Sequence, residues 1–350
     1  MKNKLIFKRK LLPFLIIGFF VLLVSCDGGN SEEYVETSDS IPMTEDSWMM
    51  EISKLTDKIK EDSLSPALYY ERAGLYMKRQ RDQMALLDME RAVELDSLNP
   101  EYYERLGRIS WNLKSSRGAI DAYEKKKLLD TNDVSTYLRL GELYLYLPDR
   151  EQSFRNLNDA LRQDRYNARA YFLKGMNYKE MGDTQRAISN FQTAVEVNPE
   201  FYDGYIQLGL LFLNRNTSHA VSYFSNAVEL RPESVEALHN RGWAYQQMDS
   251  LEKAITDYQM VLSLQPRNRN ASYNIGYLNY LQGDFENSLE HFSNAIAADS
   301  TYTWAWYSRG RTHIEMNQND RAEQDFRMAL AIDPSFEVAK IELEKMAAQR

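Results

Sequence analysis

Small and large apolar residues return along this chain at a nearly fixed interval. Gly107, Gly141, Gly175 and Gly209 stand 34 apart, Gly242 follows after 33, and Gly276 and Gly310 after 34 each, with Ala73 34 residues before the first. A second column keeps step, including the one-residue deletion: Ala85, Ala119, Ser153, Ala187, Ala220, Ala254, Ser288 and Ala322. Four residues beyond each lies a larger side chain, Met89, Tyr123, Leu157, Phe191, Phe224, Tyr258, Phe292 or Phe326. Three further on come Ala92, Lys126, Ala160, Ala194, Ala227, Val261, Ala295 and Ala329. Offsets of 0, 4 and 7 fall on one stripe of a helix. Small residues twelve apart, one on each of two helices, let the backbones approach, and the large side chain fills the space they leave. DSLNP, VNPE, LRPES, LQPRN and IDPS close the units with helix-ending signals. The alternation of a strand is absent. The pattern predicts eight helical hairpins over residues 66–336.

A hairpin of this kind cannot bury its own apolar face, so its neighbours complete it and the ends need covers. Trp48, Ile52, Leu55 and Ile59 form a stripe in SWMMEISKLTDKIKED and predict a capping helix over 47–65. Val338, Ile341 and Met346 in EVAKIELEKMAAQR predict another over 337–350. The repeat resembles the tetratricopeptide repeat, two antiparallel helices in 34 residues. That resemblance implies an all-α fold, an α-solenoid winding into a right-handed superhelix. The chain departs from the family at Lys126 and Val261, in a column usually Ala, at Thr131 and Arg165, where proline is usual, and at Ser272, where an aromatic is common.

The N-terminus has a different pattern. MKNKLIFKRK carries five basic residues and no acid, and LLPFLIIGFFVLLV follows. About 14 apolar residues, interrupted by Pro13, are too few for a membrane span, and the stretch reads as a signal peptide over 1–25. Leu23, Val24, Ser25 and Cys26 resemble the lipobox of bacterial lipoproteins, which implies acylation of Cys26, the chain's one cysteine. With no second thiol there is no intramolecular disulfide to form, and several acyl chains at about 0.8 kcal/mol per buried methylene would anchor the protein durably. Residues 26–46 carry seven acids and no base, which reads as a flexible tether averaging roughly 25 Å end to end. The expected location is a bacterial outer membrane, facing the periplasm or the surface. An aspartate directly after the lipidated cysteine resembles an inner-membrane retention signal and keeps that membrane open too.

Charge narrows the partners. The whole chain has a formal charge of −9; without residues 1–25 it keeps 37 Lys and Arg against 51 Asp and Glu, or −14. Such a balance argues against nucleic acid. His219, His239, His291 and His313 lie in different units at different repeat positions, without metal-ligand spacing, and the glycines stand singly inside helices rather than in phosphate loops. No stretch remains for a catalytic domain. The expectation is a protein that is not an enzyme and uses no cofactor or metal.

In the family that the repeat resembles, the first helix of each unit lines the concave face through its second, fifth, sixth, ninth and twelfth positions. Those columns place Arg105, Arg108, Arg139 and Arg169 in the early groove. Trp243, Tyr273, Tyr277, Tyr280, Trp304 and Tyr307 fall in the late groove, with His239, Asn240, Asn274 and Arg311 among them. Aromatic and arginine side chains desolvate large areas at small rotamer cost, as binding hot spots do. Gln207, Asn240 and Asn274 repeat at the sixth position, a short version of the asparagine ladder that holds an extended peptide in some relatives. The positions of a carboxylate clamp hold Tyr70, Gly74, Arg105, Ser135 and Arg139 instead, which sets that partner class aside. The resulting expectation is a membrane-anchored interaction scaffold of the cell envelope, holding a protein or peptide segment within an assembly, secretion or maintenance complex. The alternative is a glycan-binding surface lipoprotein that uses the same aromatic side chains.

Overall fold

The computed structural model describes residues 45–348, where 18 helices carry the regular structure and no strand occurs among the described residues. The signal segment, Cys26 and all but the last two residues of the expected tether lie outside the described residues. A first helix, α1 (Glu45–Glu61), precedes eight hairpins. These are α2 (Pro66–Lys78) with α3 (Asp82–Leu95), α4 (Pro100–Asn112) with α5 (Ser116–Leu129), α6 (Val134–Tyr146) with α7 (Arg150–Gln163), and α8 (Ala168–Glu180) with α9 (Thr184–Val197). They continue as α10 (Tyr202–Phe212) with α11 (Thr217–Leu230), α12 (Val235–Gln247) with α13 (Leu251–Leu264), α14 (Arg269–Gln282) with α15 (Phe285–Ala298), and α16 (Thr303–Glu315) with α17 (Asn319–Ile332). The last helix is α18 (Glu337–Ala348). Within a hairpin the first helix is called A and the second B. Each hairpin packs on the next, and the fold is an all-α solenoid.

Local chemistry sets the helix starts. Asn99, Asp133, Asn167, Ser234 and Asn268 cap A helices, and Ser115, Asp149, Asp183, Asn216 and Asp284 cap B helices, each accepting a backbone N–H of the first turn on its side-chain oxygen. Helix α1 begins at Glu45 rather than 47, so Glu45 and Asp46 belong to its first turn and not to a tether. Their charges suit the positive end of the helix dipole. Trp48, Leu55 and Ile59 of α1 are buried, and the Trp48 indole donates to the Leu75 carbonyl of α2 at 3.0 Å. At the other end the inward stripe of α18 is buried Ala339 with half-buried Leu343 and Met346, in one cluster with Phe326 and Phe336. Ile341, expected on that stripe, is exposed, because the spacing 339, 343, 346 follows the helical turn better than 338, 341, 346.

The columns of small and large residues meet inside each hairpin. A methyl group placed on Gly175 would lie 2.6 Å from the Phe191 ring, and one on Gly310 2.7 Å from Phe326. Ala73 tolerates its own methyl because the facing residue is Met89, whose thioether chain adapts where a ring does not. Replacing Gly175 with Leu should therefore overpack the crossing of α8 and α9 and cost about 1 to 3 kcal/mol, read as a lower urea midpoint.

Three repeats add a polar tie between A and B that apolar periodicity does not reveal. Arg72 with Asp88, Arg241 with Asp257 and Arg309 with Asp325 each form two parallel hydrogen bonds of 2.6 to 2.9 Å, with the aspartates buried. The pairs stand 16 apart in one register, in repeats one, six and eight. Lys126, the departure from the Ala column, is buried as well. Its ammonium reaches Glu104 and Asp133 at 2.8 Å each, so the charge is neutralised where it is desolvated.

Candidate functional site

Successive A helices approach one another along the solenoid, α6 with α8, α10 with α12 and α14 with α16, and no two B helices come as close. The A helices thus form the inner wall. Apart from the buried Leu173 and Glu142, the second, sixth, ninth and twelfth positions of the repeats keep some exposure there, and polar contacts bridge one A helix to the next.

The early part of this wall is less basic than its arginine count suggests. The Arg105 guanidinium lies 3.4 Å from the centre of the Tyr70 ring and donates to the Tyr70 carbonyl at 2.5 Å, so it is committed to the α2–α4 contact. Arg139 and Arg169 converge on the buried carboxylate of Glu142 at 3.2 and 3.0 Å. Arg108 is exposed. Beside these lies a pair that the sequence reading passed over: Trp111 and Tyr146 place their ring centres 5.4 Å apart and are 38% and 46% exposed. Trp111 stands at the twelfth position, in the same column as Tyr280, and that column could have revealed it. Tyr146 stands one position later and falls outside the columns.

The middle of the wall is acidic. Asp203 and Glu236 occupy the second position of repeats five and six. Burial raises both pKa values; Arg231 and Arg169 pull Asp203 back, and for Glu236 the neighbouring Asp203 adds to the rise while Arg231 opposes it. Nearby, Lys179 donates to the Gln207 amide oxygen at 2.7 Å, and burial lowers the Lys179 pKa.

The late part brings together most of the expected aromatic residues but uses them differently. Tyr273 lies between Phe292 and Tyr302, with ring centres 5.4 and 5.1 Å away, and its hydroxyl is 3.2 Å from the Ser308 hydroxyl. Burial pushes its pKa up, and the ring packs between repeats instead of presenting a face. Tyr307 likewise sits 5.7 Å from both Phe326 and Phe336, and Trp304 meets Phe336 edge-on at 4.8 Å. Tyr280 donates to Glu315 at 3.2 Å and accepts from Arg311 at 3.4 Å. Arg311 also donates to the Tyr307 hydroxyl at 3.4 Å and faces Glu342 of α18 at 3.7 Å. This network joins α14, α16 and α18. Trp243, Asn240 and Tyr277 are half-buried on the same wall. Asn274 Nδ2, a donor, lies 3.3 Å from His239 Nε2, which accepts from it, and burial lowers the His239 pKa. Two of the three ladder amides, Gln207 and Asn274, thus already spend one group on a neighbouring inner helix.

Residues 168–201, 235–268 and 305–336 match family models described as tetratricopeptide repeat. Three of the eight hairpins thus match the tetratricopeptide repeat. Among curated proteins it is 24% identical over 139 residues to tetratricopeptide repeat protein 6 of Homo sapiens, covering 40% of this chain and 27% of that one. It is 25% identical over 210 residues to the DnaJ homolog subfamily C member 7 homolog of Schizosaccharomyces pombe, covering 59% and 40%. The matched segments thus span well under half the length of these relatives. Among solved structures, the C-terminal part of a tetratricopeptide-repeat-containing protein from Cytophaga hutchinsonii superposes with a TM-score of 0.59 at 19% identity, over 70% of this chain and 99% of that one. The structure of pilF of Pseudomonas aeruginosa gives 0.50 at 16% identity, over 63% and 100%. Both share the tetratricopeptide solenoid fold. Among the described residues no group of three His, Cys, Asp or Glu side chains is placed to hold a metal ion, and no helix is long and apolar enough to cross a membrane.

Proposed function

We propose that this chain is an interaction scaffold that holds an extended protein segment along the inner wall of its A helices. The observation that carries the reading is the order of chemistry on that wall: exposed Arg108 with the Trp111–Tyr146 pair, then Asp203 and Glu236, then Trp243, Asn240, Tyr277 and the Tyr280–Arg311 network. A segment with acidic, basic and apolar-amide stretches in matching order complements it. The early arginines select less for acid than their number implies, because Arg105, Arg139 and Arg169 already have partners in the fold.

We further propose that Cys26 is acylated and that the solenoid serves on the envelope of a bacterium, most simply at the outer membrane, as part of an assembly, secretion or maintenance complex. The support is the Leu23–Cys26 segment after an apolar run. Metabolic labelling with a palmitate analogue should mark the full chain and leave the Cys26→Ser chain unlabelled and in the soluble fraction. For the groove, the full chain and a Trp243→Ala, Tyr277→Ala double variant are used to recover partners from an envelope extract. The scaffold reading predicts specific proteins lost with the double variant. Unchanged recovery would reject the assigned wall, and saturable sugar binding with no protein recovered would replace the reading with a glycan-binding one.

A further inference from the structure

We propose that a cavity between α3, α4 and α5, away from the inner-wall residues described above, receives a tyrosine side chain presented by a partner protein, with Glu90 accepting its hydroxyl. The eleventh position of the A helix carries Tyr76, Tyr144, Tyr178, Phe212 and Tyr245 in repeats one, three, four, five and six. Each of these rings is half-buried and packs against a core cluster. Asn279 and His313 stand there in the last two repeats, and Ser110 in the second.

At Ser110 no larger side chain replaces the ring; Ser110 itself is 5% exposed and lies against Gly118, where an added Cβ would stand 3.2 Å from the Ser110 Oγ. The neighbouring positions of α5 are small too, Gly118 and Ala122, where the next repeat has Gln152 and Asn156. The result is a cavity of about 340 Å³ with apolar walls from Leu86, Tyr103, Leu106 and Leu113, and Ser110 where the ring would start. That volume is at the lower end of the roughly 300 to 1,000 Å³ of small-molecule sites, enough to admit a ring.

The hydrogen-bonding partner of the missing ring is still present. In repeat three the Tyr144 hydroxyl donates to Glu124 at 3.2 Å, and Glu124 is the twenty-fifth residue of the preceding repeat. The twenty-fifth residue of repeat one is Glu90, which lines the cavity. An acceptor thus stands where the chain supplies no donor ring. Leu87, one turn before Glu90 on α3, is 55% exposed and widens the apolar surface beside the opening. A ring borne on a protein gains that contact and a free phenol does not, which favours a partner's side chain as the occupant.

The test uses the full chain with three probes, acetyl-Gly-Tyr-Gly-amide, p-cresol and toluene, followed by ligand-observed NMR and thermal melting. The tripeptide should bind saturably at one site, at least as well as p-cresol. Toluene should bind about tenfold more weakly, the loss expected for a hydrogen bond to a carboxylate. Glu90→Ala, at an exposed position that leaves the fold intact, should remove the preference for p-cresol over toluene. Ser110→Tyr should fill the cavity from within, abolish binding and raise the melting temperature. Binding of p-cresol with exclusion of the tripeptide would make this a site for a free phenol and overturn the assignment of a partner. Absence of saturable binding, or equal binding by the wild-type and Ser110→Tyr chains, would overturn the site itself.

Discussion

Lys126→Ala is expected to destabilise the solenoid by about 2 to 3 kcal/mol, although Ala is the residue that six of the eight repeats carry in that column. A consensus argument predicts the opposite sign, since a buried lysine is costly and alanine packs well at a helix crossing. The structure decides between them. The Lys126 side chain is 7% exposed, and its ammonium is shared by Glu104 and Asp133, whose side chains keep 27% and 21% exposure. Removing the lysine leaves two carboxylates facing each other across a small space, one of them also accepting from the Tyr123 hydroxyl at 3.3 Å. The cost falls below the 3 to 5 kcal/mol of a fully buried broken pair because both carboxylates retain some water.

The same group sets an acid limit. Burial works against ionisation of Asp133, but hydrogen bonds from Lys126, Thr136 and Ser135 outweigh it and hold the pKa at about 2, below its usual 3.8. A depressed carboxylate contributes stability that is complete above its unfolded pKa and is lost as pH falls through the folded one. Urea midpoints of the wild-type chain should therefore decline between about pH 4 and pH 2, and those of the Lys126→Ala chain should decline less over that window. Glu104→Gln added to Lys126→Ala should recover part of the loss. If the double variant is no more stable than the single one, the shared ion triad is not the cause.

The second large effect concerns binding. Truncating Trp243 or Tyr277 to Ala should each weaken a groove-bound partner by about 2 kcal/mol, near thirtyfold in dissociation constant, mostly through faster release. Tyr273→Phe should change it little, because that hydroxyl is engaged with Ser308 inside the fold. The contrast separates loss of a whole wall side chain from loss of a hydroxyl already engaged within the fold. Isothermal titration with one purified partner measures both, with melting curves to show that the solenoid itself is intact.

The repeat architecture was legible in the sequence because it depends on spacing: Gly175 and Phe191, or Gly310 and Phe326, announce a helix crossing through their offsets alone. The division of labour among the wall residues was not. Arg105 and Arg108 look alike in sequence, yet one is stacked on Tyr70 and the other is exposed, and the difference arises from contact with a residue 35 positions away. Tyr273 and Tyr277 are a helical turn apart, and the neighbour that takes up the first, Ser308, belongs to another repeat. Trp111 was visible in its column but stood apart from the late aromatic cluster, and its companion Tyr146 lies outside the columns. Ile341 was misplaced because the stripe 338, 341, 346 was read where 339, 343, 346 keeps the tighter helical register, the one that packs against Phe326 and Phe336.

The claim on which the functional reading rests is that the extended segment lies along the inner wall of the A helices and not along the outer faces of the B helices. A photo-crosslinking side chain placed in turn at Arg108, Trp243 and Tyr277 on the inner wall, and at exposed Met260 and Met328 on B helices, tests it in the full chain with a purified partner. The account predicts crosslinks from the three inner positions and none from Met260 or Met328. Crosslinks confined to the B-helix positions would contradict it.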